Sequence, residues 1–256
     1  MKKKLLRYFA NLFKQVPSDT CSVCGQNRAT FLPLPDYYRD HAERYGFVHF
    51  GKSEMTSLQT YSCSNCGASD RERLYAFWLD RQIESGIIRR GSRFIHFAPE
   101  SALSKKIRGM GLFDYKTLDW EMEGVDFREN IMSISFEDES FELFICSHVL
   151  EHVESDDQAI RELYRITKKG GYGILMAPII IGLDKTIEDP AVKDEANRWR
   201  LFGQNDHVRL YAHDDYVNKI SSNGFLVEEL GERYFGKKVF RSLGLKSTSI
   251  LYVVTK

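Results

Sequence analysis

Four cysteines form two pairs with the same local pattern. Cys21 and Cys24 enclose two residues and precede a glycine, and Cys63 and Cys66 repeat this arrangement. A Cys-x-x-Cys turn lets two thiolates converge on one ion, so two such turns complete a tetrahedral zinc site that leaves no position for substrate or water. A redox dithiol or two disulfides are the alternative interpretations. The pattern favours a zinc ion with a structural role.

The region around these cysteines differs in pattern from the rest of the chain. Between 21 and 66 the chain is rich in turn formers and aromatic residues and shows little periodicity, which predicts a small zinc-ribbon-like module over 18–69. A helix over 70–90, with Asp70 as its cap, links this module to a larger domain over 91–256.

The larger domain alternates short apolar runs with amphipathic stretches. This alternation predicts an α/β fold, a Rossmann-like parallel sheet with helices on both faces and an antiparallel edge strand. The predicted strands cover 93–97, 115–118, 143–147, 172–178, 225–230 and 249–254. The predicted helices cover 101–110, 155–167 and 214–223. The long loop over 179–199 predicts either a lid over a substrate pocket or a surface helix over 188–199.

The N-terminal residues predict a basic amphipathic helix over 1–17. Apolar side chains recur at helical spacing between 2 and 16, and lysine and arginine side chains lie mostly opposite them. Such a helix can dock on its own domain, contact a partner protein or lie on an anionic membrane surface. No run of about 18 apolar residues or secretory signal is present, so we expect a cytoplasmic protein.

The charge balance restricts the class of partner. The chain has 36 basic and 36 acidic residues, so it lacks the global positive field that most dedicated nucleic-acid binders use. Its hydrophobic fraction of 43 % is that of a globular protein with a packed core. These values leave the oligomeric state open.

Two neighbouring segments carry a specific pattern. Residues 130–153 read Asn-Ile-Met-Ser-Ile-Ser-Phe-Glu-Asp-Glu-Ser-Phe-Glu-Leu-Phe-Ile-Cys-Ser-His-Val-Leu-Glu-His-Val, and residues 159–171 read Ala-Ile-Arg-Glu-Leu-Tyr-Arg-Ile-Thr-Lys-Lys-Gly-Gly. They resemble class I S-adenosylmethionine-dependent methyltransferases of the type 11 group. The module with the four cysteines resembles a zinc ribbon that precedes this fold in a subset of these enzymes. The resemblance implies S-adenosylmethionine as the cofactor.

The resemblance also implies which residues bind that cofactor. Ligands on an open parallel sheet bind at the carboxyl ends of the strands, where the strand order reverses. Asp119 would accept hydrogen bonds from the ribose hydroxyls, Trp120 would pack against the adenine and Asn130 would contact its amino group. The other implied contacts come from His96, Ala98, Glu100, Ile131, Ser147 and His148. Asp119 could instead be a helix cap or an exposed loop carboxylate.

The first of these loops departs from the family pattern. Its residues His96-Phe-Ala-Pro-Glu100 stand where most members carry an acidic residue and several glycines, which let the backbone approach the cofactor. Ala98 takes little room, and Glu100 could receive the cofactor's ammonium group. The departure supports an alternative in which the protein is a cofactor-binding scaffold without catalysis.

Three histidines are candidates for catalysis. His148 ends a predicted strand, His152 follows Glu151, and His207 lies in a segment that resembles the substrate side of related enzymes. A neutral imidazole can take the proton of a hydroxyl acceptor, and His207 is the first candidate for this base. His152 could instead make a hydrogen bond at the start of a helix.

Arg209, two residues after His207, could hold an anionic acceptor group or pair with Asp206. Cys146, by contrast, lies inside a predicted apolar strand and is interpreted as a buried small hydrophobe. The predicted activity is methyl transfer from S-adenosylmethionine to an oxygen or nitrogen of a small-molecule acceptor. An RNA methyltransferase that binds its substrate through the zinc ribbon is an alternative, and the balanced charge counts against it.

Overall fold

The structure is a computed structural model that describes residues 20–189 and 191–256. The predicted basic helix over 1–17 lies outside these residues. The described strands are β1 (Phe31–Leu32), β2 (Ser62–Cys63), β3 (Arg93–Phe97), β4 (Asp114–Asp119), β5 (Phe127–Arg128), β6 (Phe141–Ser147), β7 (Thr167–Met176), β8 (Ile187–Glu188), β9 (Arg209–Leu210), β10 (Leu226–Leu230) and β11 (Leu251–Thr255). The described helices are α1 (Asp36–Tyr45), α2 (Asp70–Glu84), α3 (Ser101–Met110), α4 (Asp156–Ile166), α5 (Glu195–Phe202), α6 (His213–Ser222), α7 (Glu232–Phe235) and α8 (Lys237–Ser242).

Seven of these strands form one sheet in the order β10-β11-β7-β6-β3-β4-β5. The five strands from β7 to β5 in this order are all parallel to their neighbours. β11 is antiparallel to both β7 and β10. The chain runs outward from β3 to β5 and then returns to the other side of β3 with β6. The predicted α/β fold with an antiparallel edge is confirmed.

The predicted elements of this sheet agree with the structure except at their ends. β3 has the predicted bounds, whereas β6 begins two residues before the predicted residue 143 and β7 begins five residues before the predicted residue 172. β5 was not predicted, because a strand of only two residues has no recognisable sequence pattern. Among the residues described, no helix is long and apolar enough to cross a membrane.

The helix predicted over 70–90 is shorter in the structure and has a different cap. α2 ends at Glu84 and begins after Ser69, whose hydroxyl accepts from the Glu72 amide in a capping box. Asp70, the predicted cap, is buried and accepts instead from the Ser57 amide at 2.5 Å. The helix therefore holds the cysteine-rich segment through side chains at its first turn.

β3 and β6 end at the same level and with the same backbone feature. Phe97 pairs with Cys146, and the next residue on each strand has a positive φ, 45° at Ala98 and 57° at His148. Each still donates its amide to the neighbouring strand, Ala98 to Leu118 O and His148 to Met176 O, both at 2.9 Å. Left-handed backbone is unfavourable for residues other than glycine, and it concentrates at functional sites.

The cysteine-rich segment and the sheet share one hydrophobic core. Buried Cys21, Cys63 and Ala68 belong to the same cluster of apolar side chains as the central strands. Arg73 of α2 is fully buried between the two parts. Its guanidinium donates to four carbonyl oxygens, those of Thr60, Tyr61, Ala68 and Leu243, at 2.5 to 3.1 Å.

We expect the Arg73→Leu substitution to lower the free energy of unfolding by about 3 to 5 kcal/mol, because it leaves several buried carbonyls without donors. Urea denaturation followed by circular dichroism measures the change. The control is Arg39→Leu, which removes an exposed ion pair with Asp36 and should cost less than about 1 kcal/mol. Equal effects of the two substitutions would contradict this role of Arg73.

Candidate functional site

The four paired cysteines converge at one point. One sulfur atom from each of Cys21, Cys24, Cys63 and Cys66 lies within 4.8 Å of the others, and the Cys21 and Cys66 sulfurs are 3.7 Å apart. A tetrahedral zinc ion with bonds of about 2.3 Å separates its sulfur ligands by about 3.8 Å. The arrangement therefore fits a tetrahedral metal ion.

The turns at these cysteines have the geometry of metal-binding knuckles. The Gly25 amide donates to Cys21 O and the Gly67 amide to Cys63 O, both at 2.8 Å. Burial raises the pKa of the Cys21 thiol to about 11. At Cys24 burial opposes ionisation, but hydrogen bonds from Asn65 and from the Gln26 backbone outweigh it and lower the pKa to about 7. A cation at the centre would favour the thiolate form of all four side chains.

A cleft of about 480 Å³ opens at the carboxyl ends of β3, β4 and β6. Six of the predicted cofactor-binding residues line it, namely Ala98, Asp119, Trp120, Asn130, Ile131 and His148. The loops that carry them meet there because the strands are parallel and the strand order reverses between β3 and β6. The cleft is thus in the position where doubly wound sheets bind their ligands.

The polar groups of this cleft have defined partners. One carboxylate oxygen of Asp119 accepts from the amides of Glu121 and Met122 at 2.8 and 2.7 Å, which leaves the other oxygen for a ligand. The side-chain oxygen of Asn130 accepts from the Met132 amide at 2.9 Å. Trp120 exposes 62 % of its surface, which is unusual for so large an aromatic side chain. An exposed indole beside a free carboxylate oxygen fits a nucleoside.

The side chains of His96 and Ser147 do not line the cleft, whereas the predicted contact at Ser147 was one of its backbone. His96 is fully buried, and its two ring nitrogens contact the Tyr115 hydroxyl at 2.7 Å and the Glu100 carboxylate at 2.9 Å. Ser147 is also buried, and its hydroxyl contacts that of Tyr75 at 3.1 Å. Both side chains point away from the cleft because they belong to the buried ends of β3 and β6.

Glu100 lies behind the first loop and next to the His96 imidazole and the Arg71 guanidinium. One oxygen contacts His96, and the other lies 3.6 Å from Arg71 Nε without a hydrogen-bond partner among the described residues. Burial opposes ionisation of Glu100, but the His96 hydrogen bond and the electrostatic effects of His96 and Arg71 together outweigh burial and lower its pKa to about 2. This carboxylate therefore carries a negative charge near the end of β3.

A second cavity, of about 330 Å³, lies on the other side of His148 and His152. One wall is made by residues of the segment between the two cysteine pairs, among them Tyr38 and Leu58, and the opposite wall by Ile180 and Phe202. The second cavity and the cofactor-side cleft share His148 and His152 as lining residues. These two imidazoles separate the two spaces.

The two walls of the second cavity are joined by backbone and aromatic contacts. The Glu54 amide donates to Ile179 O, and the Ile181 amide donates to Lys52 O, both at 2.9 Å. The His41 ring lies 4.8 Å from the ring of Trp199 on α5. Of the loop predicted over 179–199, Ile180 lines this cavity, and the helix at the end of the loop begins only at Glu195.

The three predicted catalytic histidines surround Glu151. His148 Nδ1 lies 3.3 Å from Glu151 Oε1, and His152 Nε2 lies 3.9 Å from the same oxygen. The rings of His152 and His207 meet edge to face, with centroids 4.7 Å apart. The other nitrogen of His152, Nδ1, lies 3.3 Å from Asp206 Oδ2.

Burial and charge act differently on these four groups. Burial lowers the pKa of His207 to about 4 and also lowers the pKa of His148. At His152 burial opposes protonation, but Asp206 and Glu151 outweigh it and raise the pKa. At Glu151 burial opposes ionisation, but the histidines, His148 first, outweigh it and lower the pKa to about 2. The cluster thus holds a buried carboxylate beside imidazoles.

Arg209 does not have either of its predicted roles. It is fully buried and donates to Val153 O at 2.6 Å, to Glu154 O at 3.1 Å and to Glu188 at 2.6 Å. These contacts hold the turn after β6 and leave nothing for an acceptor or for Asp206. Arg71, which the sequence analysis did not single out, is the arginine that lines the second cavity.

Glu151 and Asp206 were also missed as functional residues. Their sequence signal is their position directly before His152 and His207, since a carboxylate next to a histidine is a common way to orient an imidazole. Burial of Glu151 follows from tertiary packing, which a single sequence does not reveal.

Comparisons with known proteins agree with this topology. Residues 111–175 match the family described as "Methyltransferase domain". No curated protein matches the chain.

Several solved structures match part of this chain. The YcgJ protein of Bacillus subtilis is 19 % identical with a TM-score of 0.42, over 59 % of this chain and 69 % of that protein. An S-adenosylmethionine-dependent methyltransferase of Mesorhizobium loti is 14 % identical with a TM-score of 0.42, over 65 % and 92 %. Phosphoethanolamine N-methyltransferase 2 of Haemonchus contortus, in complex with S-adenosyl-L-methionine, is 11 % identical with a TM-score of 0.46, over 87 % and 57 %.

The family match covers β4, β5, β6 and α4, the elements that carry Asp119, Asn130 and the Glu151 cluster. Over these residues the chain therefore resembles methyltransferases, as the sequence predicted.

Proposed function

We propose that the protein transfers a methyl group from S-adenosylmethionine to an oxygen or nitrogen of a small-molecule acceptor. The observation that carries this proposal is that two cavities meet at His148 and His152. One lies where the fold binds its cofactor, and the other is enclosed by residues of the cysteine-rich segment and of the 178–204 region. A cavity of about 330 Å³ is of the size that small-molecule ligands use.

The cofactor would be held by groups that line the cleft and by Glu100, which lies behind the first loop. The free oxygen of Asp119 would accept from the ribose hydroxyls, and Trp120 and Asn130 would contact the adenine. Glu100 would receive the ammonium group through the oxygen that lacks a partner in the described part of the chain. Bound S-adenosylmethionine supplies an electrophilic methyl group on a sulfonium.

His148 is the residue best placed to take the acceptor's proton. It lines both cavities, and Glu151 next to Nδ1 orients the ring, as a carboxylate does in a histidine dyad. Burial favours the neutral ring by lowering its pKa. His207, the first choice from the sequence, is a weaker base because its pKa is about 4.

The test of the proposed reaction uses S-adenosylmethionine labelled on its methyl group. We expect the full chain to transfer the label into a low-molecular-weight metabolite fraction and not into total RNA from the same cells. Label in RNA would favour the alternative substrate class. Binding of S-adenosylmethionine with no transfer to either fraction would favour a scaffold without catalysis.

The Asp119→Asn substitution should weaken S-adenosylmethionine binding about 10- to 100-fold. The amide keeps one oxygen for the Glu121 and Met122 amides but cannot accept a second hydrogen bond from the ribose, and a bond to a charged group contributes about 1.5 to 3 kcal/mol. Isothermal titration calorimetry measures the change. Asp114→Asn, at the opposite end of β4, is the matched control and should bind as the wild type does.

The His148→Asn substitution should lower the rate of label transfer about 100- to 10000-fold, the usual contribution of a general base. Asparagine tolerates the left-handed backbone at this position, so the fold should persist. Cofactor affinity, measured by calorimetry, should change far less than the rate. An unchanged rate would remove His148 from this role.

We propose that the ion held by the four cysteines is zinc and that its role is structural. Protein prepared without chelator should contain zinc. The Cys66→Ser variant should lose this zinc, whereas Cys146→Ser should keep it, since Cys146 lies inside β6 away from the cluster. Elemental analysis measures the zinc. After chelation, amides between 20 and 69 should exchange with solvent faster than those of β6. Zinc content that is the same in both variants would contradict the assignment.

A further inference from the structure

We propose that Glu151, His152 and His207 form a second metal site, which binds a divalent transition-metal ion between the cofactor cleft and the acceptor cavity. This site is distinct from the four cysteines. Glu151 and His152 lie in the turn after β6, and His207 lies in the loop before β9. A backbone hydrogen bond from the Val208 amide to Glu151 O, 2.9 Å long, joins this turn to this loop.

The geometry of the three side chains suits one ion. One ligand atom from each lies within 4.8 Å of the others. Ligands bound to one ion at about 2.0 to 2.2 Å lie about 3 to 4 Å apart, so small side-chain rotations close the site. His148 Nδ1, 3.3 Å from Glu151 Oε1, is close enough to adjust the position of the carboxylate.

The buried atoms of this cluster lack the partners that buried polar atoms normally have. Glu151 is fully buried and His207 is 3 % exposed. Neither the two carboxylate oxygens of Glu151 nor the two ring nitrogens of His207 have a hydrogen-bond partner within residues 20–189 and 191–256. Leaving such groups unpaired is unfavourable, and it is more so for a charged group. A cation would pair the carboxylate and one nitrogen of His207 at once.

His152 is already oriented as a metal ligand. Its Nδ1 lies 3.3 Å from the Asp206 carboxylate, which fixes the ring with a proton on that nitrogen, and its Nε2 faces Glu151. Carboxylate–histidine–metal arrangements of this kind are the rule around protein-bound metals. Asp206 is thus a positioning residue that acts through His152.

The ligand types indicate which ions would bind. One carboxylate and two imidazoles suit zinc, manganese, iron or cobalt in the divalent state and leave coordination positions open. The open side faces the second cavity, because Glu151, His152 and His207 all line it. The four thiolates, which are softer ligands, prefer zinc and disfavour manganese. Manganese therefore distinguishes the two sites.

An ion here would act on the acceptor, a step that rests on the proposed methyl transfer. An acceptor hydroxyl bound to the ion becomes more acidic and passes its proton to His148. The oxygen then forms a bond to the methyl carbon while the carbon–sulfur bond breaks and its electron pair stays on sulfur. The products are a methyl ether, S-adenosylhomocysteine and a protonated His148.

The test titrates Mn²⁺ into the full chain after its thiolates have been filled with one equivalent of Zn²⁺. Electron paramagnetic resonance counts the free Mn²⁺. We expect one Mn²⁺ to bind per wild-type chain. The affinity for Mn²⁺ should fall more than about 100-fold in Glu151→Gln and in His207→Gln. The reason is that loss of a metal ligand has a larger effect than loss of a residue that only orients a ligand, which costs about 10- to 100-fold. Asp206→Asn, which changes a more exposed side chain, should weaken binding about 10- to 100-fold.

The matched control is His213→Gln. His213 also lies between two carboxylates, those of Asp214 and Glu229, both at 2.7 Å, but on α6 and away from the cavity. It should leave Mn²⁺ binding unchanged. Wild-type protein that binds no Mn²⁺, or equal losses in the control and the ligand variants, would overturn the proposal. Calorimetry with S-adenosylmethionine on the same samples reports on the fold and on the proposed function separately from the metal.

Discussion

The parallel pairing of β3 with β6 is the constraint on which both cavities depend. Because Phe97 lies opposite Cys146, the two strands end at one level, and the chain turns there through left-handed residues on both strands. Ala98 then turns toward the cofactor cleft, and His148 toward the boundary between the two cavities.

Two buried glutamates near this edge differ in how their charge is balanced. Glu100 has a hydrogen bond from His96 and a nearby guanidinium from Arg71, so protein groups account for its ionised form. Glu151 has imidazoles at 3.3 and 3.9 Å, and neither of its oxygens makes a hydrogen bond with any described residue. Both have a pKa lowered to about 2. One oxygen of Glu100 is thus engaged by His96, whereas both oxygens of Glu151 are left without a hydrogen bond among the described residues.

The sequence predicted elements that local pattern determines and missed what distant contacts determine. β3 was predicted exactly, because its apolar run is bounded by Gly91 and Pro99. The four cysteines were predicted as a group from their spacing. His96 and Arg209 were misplaced, because their partners, Tyr115 for one and Glu188 for the other, are brought to them only by the pairing of strands and by a loop. The wall that the cysteine-rich segment gives to the second cavity could not be predicted either, since no local pattern indicates that Glu54 pairs with Ile179.

The position of that wall gives the four-cysteine cluster a consequence beyond stability. Residues 34–61, which line the cavity at Tyr38 and Leu58, lie between the two cysteine pairs, so an ion bound by all four sulfurs closes this segment into a loop. Closing the loop lowers the conformational entropy of the segment before any ligand binds, so less entropy is lost when a ligand binds. Arg73 then ties the end of the same loop to the core through the Thr60 and Tyr61 carbonyls. A metal ion bound by the four cysteines, although it takes no part in the reaction, would thereby order the wall of the second cavity before an acceptor binds.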